Sequence, residues 1–434
     1  MSKNIKILLS IEVLFRLVLF QIFYSSVTIF PDSEGYIDLA QRVSNFDFSN
    51  YNGLRSPGYP LLISFVNSNL YAVIFIQFGL GIITSVFQYK TLVYLGFSKR
   101  NSLIFALFIS CFLNVFFFET CVLVETLVLF LMSAFVYLLS KTPFQNQSLK
   151  FDFLMSFILG YLVFIKSFYI FIPFLLLVWL ILNQANFKIF FRKAFVILIF
   201  PMLAFLSWSY VNKINIGQFS SSGISGLYLA QNCVYFAEDA PKEFDWISKT
   251  YVDYREKSIR ENRDVAMTIW YAYEDGAYDK YNLTLPEFSV ELGKFAKAAI
   301  KENPFAYLKQ VITKSWFDFW KPTINWNYEA FNFKYANKLF LGVWYLQSAL
   351  IVLIKAGFLF VFGFHLIQFL KSRKFVFEFL LSSIVFSASV LQALATYGTN
   401  NRFSFPFEFM MIILVLLFLK TKVKLPSKLN IWLQ

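Results

Sequence analysis

Long apolar runs broken by short polar connections set the plan of this chain. Runs of roughly 20 apolar residues are what a helix needs to cross a bilayer. They recur near 7–30, 71–96, 102–118, 121–140, 151–165, 169–185, 194–212, 346–370, 375–396 and 403–419. This predicts an all-α polytopic bundle of about ten to thirteen transmembrane helices. Runs 102–118 and 151–165 are at the short limit, and 337–370 is too long for one straight span. A juxtamembrane stretch over 337–345 followed by a helix is predicted there. The first run follows Lys3 and Lys6, as in a signal peptide, but it is too long, contains Glu12 and Arg16, and lacks a small-residue cleavage site. It reads as an uncleaved helix in which Glu12 and Arg16 pair one turn apart.

Two connections are longer and patterned. In 31–60, Tyr36, Leu39, Ala40 and Val43 fall on one helical face, predicting a short amphipathic helix in the interface. Segment 213–337 alone has a soluble-like composition. Glu287–Lys301 carries a stripe of Phe288, Leu292, Phe295 and Ala299 behind Pro286, and Asn303 is placed to cap a helix opening at Pro304. Tyr251–Asp264 predicts a third helix there, and the Ser- and Gly-rich stretch 215–226 a lid-like loop. The chain thus divides into a membrane module over 1–212, a mainly helical extracytoplasmic segment over 213–337 and C-terminal membrane helices over 338–434.

Composition agrees, with 58% hydrophobic and 15% charged residues among 434. Charge then sets orientation. Lys99 and Arg100, Lys141 and Lys150, Lys188 with Arg192 and Lys193, Lys371 with Arg373 and Lys374, and the tail Lys420, Lys422, Lys424 and Lys428 all fall on one side with the N-terminal lysines. The positive-inside rule puts that side, and both termini, in the cytoplasm. Segment 213–337 holds 15 Lys/Arg and 16 Asp/Glu, against 24 and 10 in the remainder, so the net +13 is an orientation signal and no nucleic-acid partner is implied. Three cysteines without metal-ligand spacing are too few for a disulfide framework, and the single His365 excludes a His-based metal cluster and argues against a Ser-His-Asp triad.

Candidate chemistry gathers at the outer face. Asp32 directly follows the first run in Pro31-Asp32-Ser33-Glu34-Gly35-Tyr36, and Arg55-Ser56-Pro57-Gly58-Tyr59-Pro60-Leu61 closes the same loop. Glu119, Glu125, Lys166 and Arg402 end other spans near that leaflet. Ionisable groups at this depth are functional candidates, although Lys166 and Arg402 also suit snorkelling toward lipid phosphates. Glu119 reads as an end-of-helix residue facing water, Glu125 as a deeper group needing a partner. Lys355, inside its span, needs either an acid or a lipid phosphate. An acid and a cation at the water–lipid boundary suit activation of a hydroxyl and stabilisation of a departing phosphate.

These two loop motifs resemble the first external loop of GT-C membrane glycosyltransferases, nearest to bacterial relatives of the protein O-mannosyltransferases and the lipid A aminoarabinose transferase. Val124-Glu125-Thr126-Leu127, Phe164-Ile165-Lys166-Ser167, Glu302-Asn303-Pro304-Phe305-Ala306-Tyr307-Leu308 and Asn401-Arg402-Phe403-Ser404-Phe405-Pro406 are similar, in order, to further stretches of that family. Ser404 departs from it where a second arginine is common, and the external segment is shorter than in many members. The resemblance implies an inverting transferase that moves a sugar from a polyprenyl-phosphate donor to a hydroxyl of a lipid, glycan or protein, at the outer face of a bacterial cytoplasmic membrane. It implies Asp32 as general base, Arg55, Lys166 and Arg402 as donor-phosphate ligands, and Glu34, Glu125, Tyr36 and Tyr59 in orienting the acceptor or sugar. No cofactor is required, and Asp32 with Glu125 leaves room for a divalent ion. Two alternatives are a transporter or flippase, which predicts charges near the midplane and inverted repeats, and an O-antigen polymerase or ligase, a class that lacks the Asp-Ser-x-x-Tyr loop.

Overall fold

The computed structural model describes residues 2–22, 25–141, 148–183, 186–323, 335–398 and 400–422. Lys424 and Lys428 of the basic tail lie outside the described residues. The described chain is helical apart from one parallel bridge between Thr28 and Cys121. Five stretches are long and apolar enough to cross a membrane: α4 (Leu70–Tyr94), α10 (Phe187–Ile216), α17 (Ala336–Ser372), α18 (Phe377–Ala395) and the stretch Asn400–Lys422, which comprises α19 (Asn400–Ser404) and α20 (Glu408–Lys422). Joined to them are α1 (Lys3–Ile22), α5 (Lys99–Ser110), α6 (Leu113–Glu119), α7 (Glu125–Lys141), α8 (Leu149–Ile165) and α9 (Phe171–Leu182). Their shared core runs from Leu123 and Phe135 through Leu162 and Leu176 to Leu381 and Ile413. Large side chains such as Leu14 on α1, Phe195 on α10, and Leu353 and Phe360 on α17 face outward, as a lipid-facing surface requires.

Three elements differ from the hydropathy pattern, each for a local reason. The run 7–30 is not one helix: α1 stops at Ile22, Ser25 takes a positive φ of 48°, and the following β-branched residues run extended. Thr28 N donates to Thr120 O at 2.9 Å, and Val122 N donates to Thr28 O at 3.1 Å. The run 102–118 is a pair, α5 and α6, bent by 60°. Gln347 of α17 pairs the groups freed at that bend: its Oε1 accepts from Leu113 N at 2.8 Å and its Nε2 donates to Cys111 O at 3.2 Å. Residues 336–372 form one uninterrupted helix of 37 residues, with no separate juxtamembrane stretch over 337–345. At about 1.5 Å per residue it is longer than the hydrocarbon core is thick, so it projects beyond the bilayer.

The loop after α1 holds α2 (Pro31–Asn45), whose Tyr36, Leu39 and Ala40 are buried as the pattern predicts, and α3 (Gly58–Phe65). The 213–323 segment packs α11 (Ser225–Gln231), α12 (Asp245–Arg260), α13 (Thr268–Glu274) and α14 (Leu285–Glu302) around Leu227, Ile247, Phe288, Leu292 and Phe295. A capping box between Thr284 and Glu287, with Pro286 in the first turn, starts α14. The third predicted helix begins at Asp245, ahead of Tyr251. Asn303 precedes α15 (Pro304–Gln310) without capping it: its amide donates to Asp239 O at 3.0 Å and Ala299 O at 3.3 Å. The chain continues through a π-helical turn, Val311–Trp316, into the short α16 (Phe317–Phe319). From there Asp318 Oδ2 accepts from Asn400 N at 3.0 Å, and Ser315 O accepts from Asn400 Nδ2 at 2.9 Å. These bonds fix the start of α19, and with it Arg402.

Buried charges inside the bundle are paired, as the low dielectric demands. Lys193 reaches Asp152 at 2.7 Å. Lys355 finds the acidic partner its position called for, Glu408 at 3.0 Å, and also donates to Ser404 Oγ at 2.8 Å and Lys321 O at 2.9 Å. Arg16 pairs with Glu12, as the spacing predicts, and also bidentately with Glu119 at 2.6 and 2.7 Å. Glu119 therefore does not face water; it is 1% exposed, and its partner lies on α1. Gly81 of α4 makes this possible, since a methyl group there would lie 1.8 Å from Glu119 Oε1 and 2.6 Å from Arg16 Nη2.

Gly81→Ala should therefore destabilise the protein. Alanine in a helix is otherwise favoured by about 1 kcal/mol, but breaking a buried ion pair costs about 3–5 kcal/mol, so the clash decides the sign. Gly79→Ala, which meets nothing within 4 Å, is the control. Thermal unfolding in detergent should show a drop for Gly81→Ala and none for Gly79→Ala; equal melting would refute the packing argument.

Candidate functional site

The extended segment after α1 fixes where α2 begins. Thr28 is laddered to Thr120 and Val122, and Ser33 Oγ donates to Val122 O at 2.9 Å. The start of α2, which carries Asp32, is thereby set beside the start of α7, which carries Glu125. Helix N-termini concentrate unpaired N–H groups and partial positive charge, so two of them together favour anions.

Three further segments converge here. Gly58 packs so closely on the end of α8 that a Cβ would lie 2.7 Å from Ile165 N, and Tyr161 Oη donates to Gly58 O at 2.8 Å. The Arg55 loop is thus held beside Lys166. Tyr51 fixes Arg55 itself, its hydroxyl accepting from Arg55 N at 2.6 Å and donating to Arg55 O at 2.7 Å. Arg402 arrives from α19. The Ser/Gly loop of the 213–323 segment closes the arrangement: Gly223 N donates to Gly53 O at 2.8 Å, and Ser221 Oγ to Ser167 Oγ at 2.7 Å.

The result is an alternating chain of charges. Asp32 Oδ1 lies 2.6 Å from Arg55 Nη2, and Oδ2 lies 2.7 Å from Arg402 Nη2. Arg402 Nε is 2.8 Å from Glu125 Oε1, which is also 3.8 Å from Lys166 Nζ. Three cations against two carboxylates leave one net positive charge. Glu125 Oε2 and Arg55 Nε are buried and make no hydrogen bond. Asp32 is the open member, its side chain 30% exposed against 3% for Glu125. Arg402 already occupies the place between the two carboxylates, so a divalent ion there would have to displace it.

Asp32, Arg55, Glu125, Lys166 and Arg402, drawn from four distant stretches, are thus together. Tyr36 joins them, its ring 5.1 Å from the Arg55 guanidinium. Tyr59 sits one layer behind, edge-on to Tyr36 at 5.3 Å, with its hydroxyl donating to Gln77 Oε1 at 2.9 Å. Glu34 is exposed and makes no ion pair among the described residues. Sequence reasoning missed Tyr51, Phe403 and Tyr228. Phe403 lies inside a quoted motif, and its ring sits 4.1 Å from Lys166 Nζ. Tyr228, near Arg55 on α11, had no signal in the sequence.

Electrostatics follow from this packing. Burial alone would raise the Asp32 carboxyl, but Arg402 and then Arg55 overcome it and hold the group well below the usual carboxylate range. Burial keeps the Tyr36 and Tyr59 phenols high, so both stay neutral donors. Burial lowers Lys166, in the connection after α8, and Glu125 only partly restores it, leaving a pKa of about 8.

A cluster with a net positive charge at two helix starts can take an anion, and the lowered Lys166 would make such uptake pH-dependent. Its proton leaves the folded protein as pH rises through about 8, so affinity for decyl phosphate should fall roughly tenfold by pH 10, the weight of one charged hydrogen bond. Lys166→Met should flatten the profile; an unchanged profile would remove Lys166 from the anion site. The linkage for folding has the opposite sign. The unfolded chain keeps this proton up to 10.5, so in that window the unfolded state holds more protons and Lys166 makes folding more favourable as pH rises.

No family model matches this chain, and no curated protein matches it in sequence. Two solved structures of ArnT from Cupriavidus metallidurans are similar to it. The apo form is 13% identical over 93% of this chain and 77% of that chain, with a TM-score of 0.33. The form bound to undecaprenyl phosphate is 12% identical over 94% and 76%, with a TM-score of 0.36. Likeness at this level is too slight to carry a conclusion about activity.

Proposed function

We propose that the protein is an inverting membrane glycosyltransferase. It moves a sugar from a polyprenyl-phosphate donor to an acceptor hydroxyl at the extracytoplasmic face, with Asp32 as general base. One observation carries this reading: a partly open carboxylate shared between two arginines, beside a second carboxylate and a lysine, at the end of an apolar bundle. A polyprenyl phosphate is an anionic head on an insoluble tail, so its site needs cations at the lipid boundary. Transfer to a hydroxyl needs a carboxylate beside them.

In the reaction the acceptor oxygen attacks the anomeric carbon of the sugar, and its proton passes to Asp32. The bond from that carbon to the donor phosphate oxygen breaks, and its electron pair stays on the phosphate, where Arg55, Arg402 and Lys166 stabilise the charge. A single displacement inverts the anomeric centre.

The ion pairs give this scheme an order. While both arginines hold Asp32, its carboxylate is a poor base. A donor phosphate competes for the same guanidinium groups, and as they turn to it Asp32 gains basicity. The base is thus strengthened when the leaving group is in place. Glu125 keeps Arg402 oriented throughout. Tyr36 supports Arg55 from below and, with Tyr59 behind it, shapes the wall facing the sugar.

The test is to incubate the purified, reconstituted protein with labelled undecaprenyl-phosphate sugars and an extract of candidate acceptors. Transfer of label with inverted anomeric configuration supports the reading. No transfer from any such donor, despite intact folding, contradicts it.

A further inference from the structure

A second group of buried charges lies in the bundle, with no ion pair to the Asp32 cluster among the described residues, and its charges do not balance. Arg16 of α1 serves two carboxylates, Glu12 and Glu119. All three side chains are at most 3% exposed, and among the described residues no other cation pairs with either acid. The triad therefore carries one net negative charge where the surroundings are apolar, and such a charge is expensive unless something neutralises it.

A small cavity opens beside it between α4, α5, α6 and α7, with room for about one water molecule or ion. Its polar lining is Thr84, Ser85, Gln88, Ser110, Glu119 and Thr126. Apart from the Gln88 amide nitrogen, the polar side-chain atoms there are oxygens, and three of the hydroxyls commit their protons to other groups. Thr84 Oγ1 donates to Leu80 O at 2.8 Å, Ser85 Oγ to Gly81 O at 3.1 Å, and Ser110 Oγ to Glu12 Oε1. Gln88 points its nitrogen toward Ser133 at 3.4 Å, leaving Oε1 without a hydrogen bond. Thr126 Oγ1 also has none. Both residues are more than nine-tenths buried, and a buried acceptor without a partner is costly unless a ligand completes it.

An oxygen-rich lining, unused acceptors and one missing positive charge describe a site for a hard cation. We propose that this cavity binds one small exchangeable cation, Na+ or a proton, which neutralises the Glu12–Arg16–Glu119 triad. Na+ takes its ligands from Glu119, Gln88 Oε1 and the hydroxyls; a proton sits on the Glu119 carboxyl. Arg16 and Glu12 are the charged groups facing Glu119, and the Cys111 thiol lies near Glu12. The site does not depend on the transferase reading.

The experiment is thermal unfolding of the purified full-length protein in choline chloride, KCl or NaCl of equal ionic strength, at pH 8 and pH 6. If the cation is Na+, NaCl at pH 8 raises the melting temperature saturably, by about 3–5 °C at large excess, and KCl does less. Thr126→Val, which keeps every charge, then shifts the Na+ midpoint about tenfold, the weight of one lost ligand. If it is a proton, melting rises from pH 8 to pH 6 without preference among the salts, and Thr126→Val changes nothing. In either case Glu119→Gln, which keeps shape and removes one negative charge, abolishes the response and melts no lower than wild type in choline at pH 8. A purely structural ion pair predicts the reverse, a Glu119→Gln protein that melts lower under every condition, and that result overturns the proposal. Wild-type melting indifferent to both Na+ and pH overturns it as well, whether or not the variant folds.

Discussion

Asp32→Asn should abolish sugar transfer while leaving donor binding intact or tighter. General bases contribute about 10²–10⁴ in rate, and an amide of the same shape accepts no proton from the acceptor. The opposite effect on binding comes from the ion pairs. Asp32 now occupies one nitrogen of Arg55 and one of Arg402, at 2.6 and 2.7 Å, and a phosphate must compete for both. Removing the carboxylate charge removes that competitor, takes the anionic partner from Arg55 and leaves Arg402 with Glu125 alone. Lost turnover with kept or improved affinity for undecaprenyl phosphate would distinguish a base held by its future phosphate ligands from a structural salt bridge, whose loss would weaken folding and binding together. Retained turnover in the variant removes the general-base assignment.

Arg402→Ala should weaken both donor binding and turnover, because this side chain alone touches both carboxylates. A hydrogen bond to a charged group contributes about 1.5–3 kcal/mol, so losing the phosphate contact should cost roughly 10–100-fold in affinity. A further loss comes from Glu125, which would keep only Lys166 at 3.8 Å and stand nearly uncompensated in a buried position. Arg402→Lys should rescue little, since a point charge does not reproduce a guanidinium that reaches Asp32 with Nη2 and Glu125 with Nε. Equal donor affinity in wild type and Arg402→Ala would exclude Arg402 from the phosphate site.

The sequence carried the inventory of this site but not its distances. Asp32, Arg55, Glu125, Lys166 and Arg402 stood out because ionisable groups at membrane depth are costly. Their assembly depends on devices invisible to hydropathy: the Thr28 ladder, the close approach at Gly58, and the Asp318–Asn400 bonds. Glu34 was singled out by adjacency in a motif. On a helix it lies roughly 200° around from Asp32, which turns it to solvent, whereas Tyr36 at i+4 shares the Asp32 face. Glu119 read as a water-facing terminus because its partner Arg16 is 103 positions away; Gly81 was the local sign of a close crossing. Hydropathy also joined what geometry separates at Cys111–Phe112, because the side chain that pairs that break, Gln347, comes from another helix. It divided 336–372, where the chain has no proline and nothing ends the helix.

A structure determined with undecaprenyl phosphate added to the purified protein would test the central claim most directly. The account predicts the phosphate within hydrogen-bonding distance of Arg55 and Arg402, with at least one of them withdrawn from Asp32 and that carboxylate facing open space. A phosphate held elsewhere, with both arginines still closed on Asp32, would contradict it.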